Sequence, residues 1–222
     1  TAESLRARGE KGYGLERVMR DARINTIIEG TSQIMRLFIA REAMDAHVRK
    51  IMPIMSPKTK LADKFKLAGQ AFGFYSMWYP QQFFLGNPLP QGVSIPGALR
   101  PHMRFAGKMT RKLARSLFQA MMIYQQGLEK KQQLMTRLVN IGTDLFAMAA
   151  SISSAIQMFS DKPSDQGPVE LADLFCRQAH GRIEKQFSHL FINSDAFAYH
   201  VAQKTLDDKY AWLESDIIQP MG

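Results

Sequence analysis

Apolar positions recur every three or four residues along most of the chain, and strand-type alternation is nearly absent. Leu15 to Ile28 reads as a helix, with Val18, Ala22 and Thr26 on one side and Arg17, Arg20 and Arg23 largely on another; Gly30 stops it. Thr31 opens the next helix as its N-cap, because a Thr hydroxyl can accept a free N–H of the first turn. Leu37, Ala40, Met44, Val48 and Ile51 form the apolar stripe of that helix, and Pro53 and Pro57 are expected to end it. Residues 58–79 predict a third helix, basic at first and aromatic later. Residues 80–101, with five prolines, predict a long irregular connection that Phe83, Phe84, Leu85 and Ile95 hold down. Further helices are predicted over 102–131, 134–159, 169–192 and 195–213. A break falls at 161–168, and a capped turn at Asn193-Ser194-Asp195. The expected fold class is all-α.

The helix over 134–159 raises the question of a membrane span. Arg137, Asn140 and Asp144 interrupt its first part, and the uncharged run from Leu145 to Phe159 has 15 residues. A span needs about 20, so a buried core helix is expected.

Charge changes the picture in one region. The 222-residue chain carries +9, and residues 1–53, 54–133 and 134–222 contribute net charges of +3, +10 and −4. The middle segment suits an anionic partner: a membrane surface, CoA phosphates, nucleic acid or an acidic protein. The single cysteine, Cys176, excludes an internal disulfide framework and is read as a small buried hydrophobe. His47, His102, His180, His189 and His200 show no reliable metal spacing, so lone packing or surface histidines are expected, and no metal. The opening residues are polar and carry no signal-peptide pattern, and Thr1 is read as a cut end.

The informative stretch is residues 14–44, GLERVMRDARINTIIEGTSQIMRLFIAREAM. Glu29 precedes a glycine at a helix–helix joint, which puts a carboxylate on a backbone corner with no Cβ beside it. Thr31, Ser32 and Gln33 follow and open a new helix, adding side-chain hydrogen-bonding groups to unpaired amides. Taken alone, such a joint is more often a cap or turn than a site.

The stretch as a whole resembles the signature region of acyl-CoA dehydrogenases, close to ERxxRDxRIxxIxEGTxxIxRxxIAREA. Glu16, Arg17, Arg20, Asp21, Arg23, Ile24, Ile27, Glu29, Gly30, Thr31, Ile34, Arg36, Ile39, Ala40, Arg41, Glu42 and Ala43 match it. The resemblance is strong to about residue 50. Beyond Pro57 it is architectural, to the very-long-chain members with an extra helical domain. It implies two units, 1–56 finishing the carboxy-terminal helical domain and 57–222 an appended helical domain. It implies Glu29 as the base that takes an α-proton of an acyl-CoA, giving the trans-2-enoyl-CoA of fatty acid β-oxidation. It also implies Gly30 as substrate-binding, and Thr31, Ser32, Gln33 and Ile34 as contacts to FAD. Ile27 and Ile28 are expected to supply an apolar wall that raises the pKa of the base. Arg20 and Asp21 match an Arg-Asp pair assigned to structure. The family's glycine-rich GGxG(F/Y) segment is expected upstream of Thr1, with Gly12-Tyr13 resembling its tail, so the isolated chain is expected to hold FAD poorly and to be inactive. Electron-transfer flavoprotein as electron acceptor, self-association, and a cytoplasmic or mitochondrial-matrix location, peripheral to the inner membrane, are implied in the same way.

Aromatics interleave with the basic middle: Phe65, Phe72, Phe74, Tyr75, Trp78, Tyr79, Phe83 and Phe84 follow Lys58, Lys60, Lys64 and Lys66, and Arg104, Lys108, Arg111 and Arg115 recur at helical spacing. Residues 58–115 are therefore a candidate membrane-surface element, against the plainer alternative that the aromatics fill a core. A nucleic-acid role is not expected, since no recognised module is present. Two rival readings of the chain are an acyl-CoA oxidase and a non-catalytic helical assembly or membrane-docking module.

Overall fold

The computed structural model describes residues 2–12, 14–28, 30–56 and 58–214. Glu29, the expected base, therefore lies outside the described residues, as do Thr1, Tyr13 and Pro57. Among the described residues there are eight α-helices and no strand. They are α1 (Ala2–Ala7), α2 (Leu15–Arg23), α3 (Ser32–Met55), α4 (Leu61–Phe84), α5 (Arg100–Tyr124), α6 (Gln132–Asp161), α7 (Gly167–Ser188) and α8 (Asp195–Leu206).

The core is built around α6, which packs against α7, α5 and α3. Its 3.6-residue pattern supplies Leu134, Leu138, Ile141, Leu145, Met148 and Ile152 as buried side chains. α7 answers with Val169, Ala172, Cys176, Ala179, Ile183 and Phe187. Small residues at 172, 176 and 179 let the two axes approach closely. Among the described residues α6 alone is long and apolar enough to cross a membrane. Here one apolar face joins the core, as expected of a core helix, while Phe146 and Met158 stay exposed. Two salt bridges clip this layer: Arg182 on α7 meets Asp144 on α6 at 2.7 Å, and Arg137 on α6 holds both carboxylate oxygens of Asp195, the first residue of α8, at 2.6 Å.

α4 packs on α3 and more lightly on α5. The joint is aromatic. His47 Nδ1 lies 2.9 Å from the Tyr75 hydroxyl, and Trp78 and Phe118 close around the pair at ring-centre distances of 5.2 and 4.8 Å, to His47 and Tyr75 respectively.

Several element ends differ from expectation. The first predicted helix stops at Arg23 and tightens into a 3-10 turn over Ile24–Thr26. α3 runs through Pro53 to Met55, and α4 through Pro80 to Phe84. A proline in the last turns of a helix removes one backbone bond close to where the ladder ends anyway. The irregular connection is therefore shorter than predicted. Of the residues expected to hold it down, Ile95 is buried, whereas Phe83 and Phe84, at the end of α4, and Leu85 stay exposed. The expected 102–131 helix breaks after Tyr124, where Gln125 takes φ +45° and a 3-10 segment follows.

Candidate functional site

Gly30 sits at φ +70°, in the left-handed region that residues with a side chain rarely adopt. A Cβ built there would lie 3.1 Å from Met35 Sδ. Chain reversal and close approach thus both favour glycine at this joint. Thr31 follows as the N-cap of α3, with φ −44° and ψ 142°, but its side chain makes no capping hydrogen bond. The expected hydroxyl cap is absent. The first backbone bond of the helix runs from Met35 N–H to the Thr31 carbonyl at 2.9 Å. The N–H groups of Ser32, Gln33 and Ile34 precede that bond and have no intrahelical acceptor.

Of the sequence-predicted residues, Gly30, Thr31, Ser32, Gln33 and Ile34 lie in succession at this corner, and Glu29 falls outside the described residues. Thr31 and Ser32 are half-buried, Gln33 is exposed, and Ile34 is 61% exposed. The Thr31 and Ser32 hydroxyls, the Gln33 carboxamide and the positive end of the helix dipole follow one another at this corner. That donor set fits part of a flavin, a flat group with ring nitrogens and carbonyls to satisfy. Ile24, Ile27 and Ile28, just before the joint, present apolar side chains to the surface.

Arg20 and Asp21 do not pair with each other. Arg20 reaches Glu16 at 2.9 Å and Asp21 lies 3.7 Å from Arg17, both as exposed i,i+4 pairs along α2. Such pairs contribute little. Arg36, the signature arginine in the second turn of α3, donates from Nε to the Asn140 side-chain oxygen on α6 at 3.0 Å.

The structure also gathers a cluster that sequence spacing does not announce. His102 on α5 is 5% exposed. Its Nε2 lies 2.7 Å from Asp173 Oδ1 on α7, and its Nδ1 lies 3.0 Å from His180 Nε2. Asp173 also accepts from Arg177 Nε at 2.9 Å, and Phe105 stacks on the His180 ring. These two histidines are therefore not lone groups: they are 78 residues apart in sequence, and only the α5–α7 packing brings them together. Hydrogen bonds from His102 and Arg177 hold the Asp173 carboxyl below its usual range. Burial pushes the His180 pKa down, with His102 and Arg177 adding to it and Glu184 opposing. Burial, with Asp173 nearby, pushes the Cys176 thiol up to about 11, so it is no nucleophile. Among the described residues no group of three His, Cys, Asp or Glu could hold a metal ion.

The basic, aromatic middle divides into two sets. Tyr75, Trp78 and Tyr79 turn inward to α3 and α5. Leu61, Phe65 and Phe72 line the outer side of α4, with Phe72 77% exposed. Arg111 and Arg115 do not continue a free basic stripe with Arg104 and Lys108. Arg111 donates to Asn87 and Arg115 to the Gln82 carbonyl, and the Arg115 guanidinium lies 4.1 Å from the centre of the Phe83 ring.

Comparison with known proteins places these features in a family. Residues 98–208 match the family described as ACAD9/ACADV, C-terminal domain, and residues 3–44 match the acyl-CoA dehydrogenase C-terminal domain. The chain is 43% identical over 219 residues to a probable acyl-CoA dehydrogenase, FadE10, of Mycobacterium tuberculosis, covering 98% of this chain and 34% of that protein. It is 30% identical over 199 residues to the very long-chain specific acyl-CoA dehydrogenase, mitochondrial, of Homo sapiens, covering 86% of this chain and 29% of that protein. The chain thus spans about a third of the length of these curated relatives. With one match over the corner and α3 and another over the α5–α8 layer, the chain belongs to the acyl-CoA dehydrogenase family, in its carboxy-terminal region.

Proposed function

We propose that this chain is the carboxy-terminal part of an FAD-dependent acyl-CoA dehydrogenase that converts long-chain acyl-CoA to trans-2-enoyl-CoA, with Glu29 as the base. The observation that supports it most is the left-handed turn at Gly30 before the head of α3, next in sequence to the residue whose carboxylate the reaction needs. A thioester α-proton is weakly acidic, so its base must be held in place and partly desolvated. The left-handed turn at Gly30 lets the chain reverse next to the base before α3 begins. Ile27 and Ile28, which precede the base in sequence, present apolar side chains at the surface. Thr31, Ser32, Gln33 and Ile34 would hold FAD, which when bound accepts the hydride leaving the β-carbon. We place the boundary between the dehydrogenase helices and the appended domain at 56/57, between the two family matches. Electron-transfer flavoprotein is the proposed acceptor and a homo-oligomer the proposed state, in the cytoplasm or mitochondrial matrix.

The test is anaerobic mixing of the full-length protein with palmitoyl-CoA. Bleaching of the flavin, followed by turnover with an artificial acceptor and slow hydrogen peroxide release in air, is the expected result. Rapid peroxide release would favour an acyl-CoA oxidase. A full-length protein without flavin would leave a helical assembly module.

The exposed stripe on α4 supports a membrane contact within 58–115, beside Lys60, Lys64 and Lys66. Co-sedimentation with vesicles containing anionic lipid is expected at low salt and is expected to weaken as salt rises. Absence of binding at low salt removes this part of the proposal.

A further inference from the structure

We infer that Asn140, on α6, is a positioning residue for the Gly30 corner, acting through Arg36. This rests on the reading of that corner as the place where the base stands.

The geometry begins with what holds α3. Ala40 is 2% exposed against the core, and Leu37 and Met44 are half-buried beside it. Such contacts are non-directional. Next to them lies a cavity of about 340 Å³, lined by Ile39, Ala43 and Met44 of α3 and by Leu138, Gly142 and Phe146 of α6. Apolar contact with space beside it fixes neither the rotation nor the slide of a helix tightly. A hydrogen bond does, because it works only within a narrow range of distance and angle.

Among the described residues the Arg36–Asn140 bond is the one side-chain hydrogen bond between α3 and α6. Its place on α3 matters. Ser32, Gln33, Ile34 and Met35 are half-buried to exposed, so Arg36 is the directional anchor nearest the corner. It stands four residues from Ser32, the first residue of α3, about 6 Å along the helix axis. Met35, next to Arg36, lies back over Gly30. A shift of Arg36 is therefore passed through little more than one rigid turn to the corner. The bond is partly buried, and among the described residues no carboxylate lies within salt-bridge distance of Arg36, so the neutral amide of Asn140 is what orients the guanidinium. The appended helices thereby act as part of the scaffold of the site.

The test uses the full-length enzyme. Asn140→Leu removes the acceptor, Asn140→Asp keeps it, and Asn140→Ser is a smaller polar change in case the Leu variant fails to fold. For Leu and Ser we expect kcat to fall about tenfold with KM for acyl-CoA within about twofold, since small misplacement near the chemistry acts on the reacting geometry. We also expect faster amide exchange in the first turn of α3. Asn140→Asp should restore both. If the folded Leu or Ser variant keeps kcat and the exchange rates of α3, and only melts earlier, the residue is structural and the inference is overturned. Glu29→Gln, measured in parallel, separates the two ideas. An active Glu29→Gln protein defeats the reading of the base, whereas the exchange rates report on Asn140 by themselves.

Discussion

At Gly30 the backbone takes φ +70°, and Met35 occupies the space where a side chain would begin. Gly30→Ala is therefore predicted to destabilise by about 1–2 kcal/mol from the backbone alone, and to slow turnover as the corner shifts. Denaturant unfolding and steady-state kinetics on the same preparation check both. His180 offers a pH prediction. Its pKa in the folded protein lies below the ordinary value because burial disfavours the charged ring. The folded state therefore binds that proton less readily than the unfolded chain. Its stabilising contribution is present above about pH 6.5 and is lost as pH falls through the lower, folded-state value. His47 is shifted the same way, by burial and then by Lys50. Melting temperature should fall between pH 8 and pH 5, and His180→Gln should flatten that slope in part. An equal slope in both proteins would count against the cluster.

At the level of elements, α8 is tied to α6 by the bidentate Arg137–Asp195 pair. Hydrogen bonds from Arg137 hold the Asp195 carboxyl below its usual range. Asp195→Ala should cost about 1.5–3 kcal/mol and open α8 to proteolysis, and the pair's contribution should be lost as pH falls below about 4. Arg137→Lys should recover only part, because the two-pronged geometry goes with the guanidinium. Ile183→Ala, in the α6–α7 seam, should cost about 2–5 kcal/mol. Helix periodicity made α3, α5, α6 and α7 legible in the sequence, and it gave α6 as a helix that contributes to the core. Ends were less legible. Pro53 and Pro80 read as stops, yet each sits where the helix has only a few residues left to run, so the lost bond is tolerated. The Asp173–His102–His180 cluster and the Arg36–Asn140 bond were invisible, because residues 71, 78 and 104 apart have no shared local pattern. The candidate corner was visible for the opposite reason: its residues are contiguous, and Glu-Gly-Thr names its own geometry.

For the whole molecule, the outward aromatics fall on α4 beside Lys60, Lys64 and Lys66, while six more basic residues of the middle segment lie on α5. Salt-dependent vesicle binding is therefore expected to be sensitive to Phe65→Ser and Phe72→Ser without loss of fold, as both side chains are exposed. The corner at the head of α3 and the core layer meet along the α3–α6 seam, so the signature helix is carried by the appended helices. The central claim is that the chain's chemistry belongs to Glu29. The most direct measurement is turnover of the full-length protein carrying Glu29→Gln, with palmitoyl-CoA and an artificial electron acceptor. We predict a fall of several orders of magnitude with flavin content and melting temperature unchanged, since removing the base removes the proton transfer itself. Near-normal turnover would contradict it and would place the base elsewhere, leaving Glu29 to shape the joint.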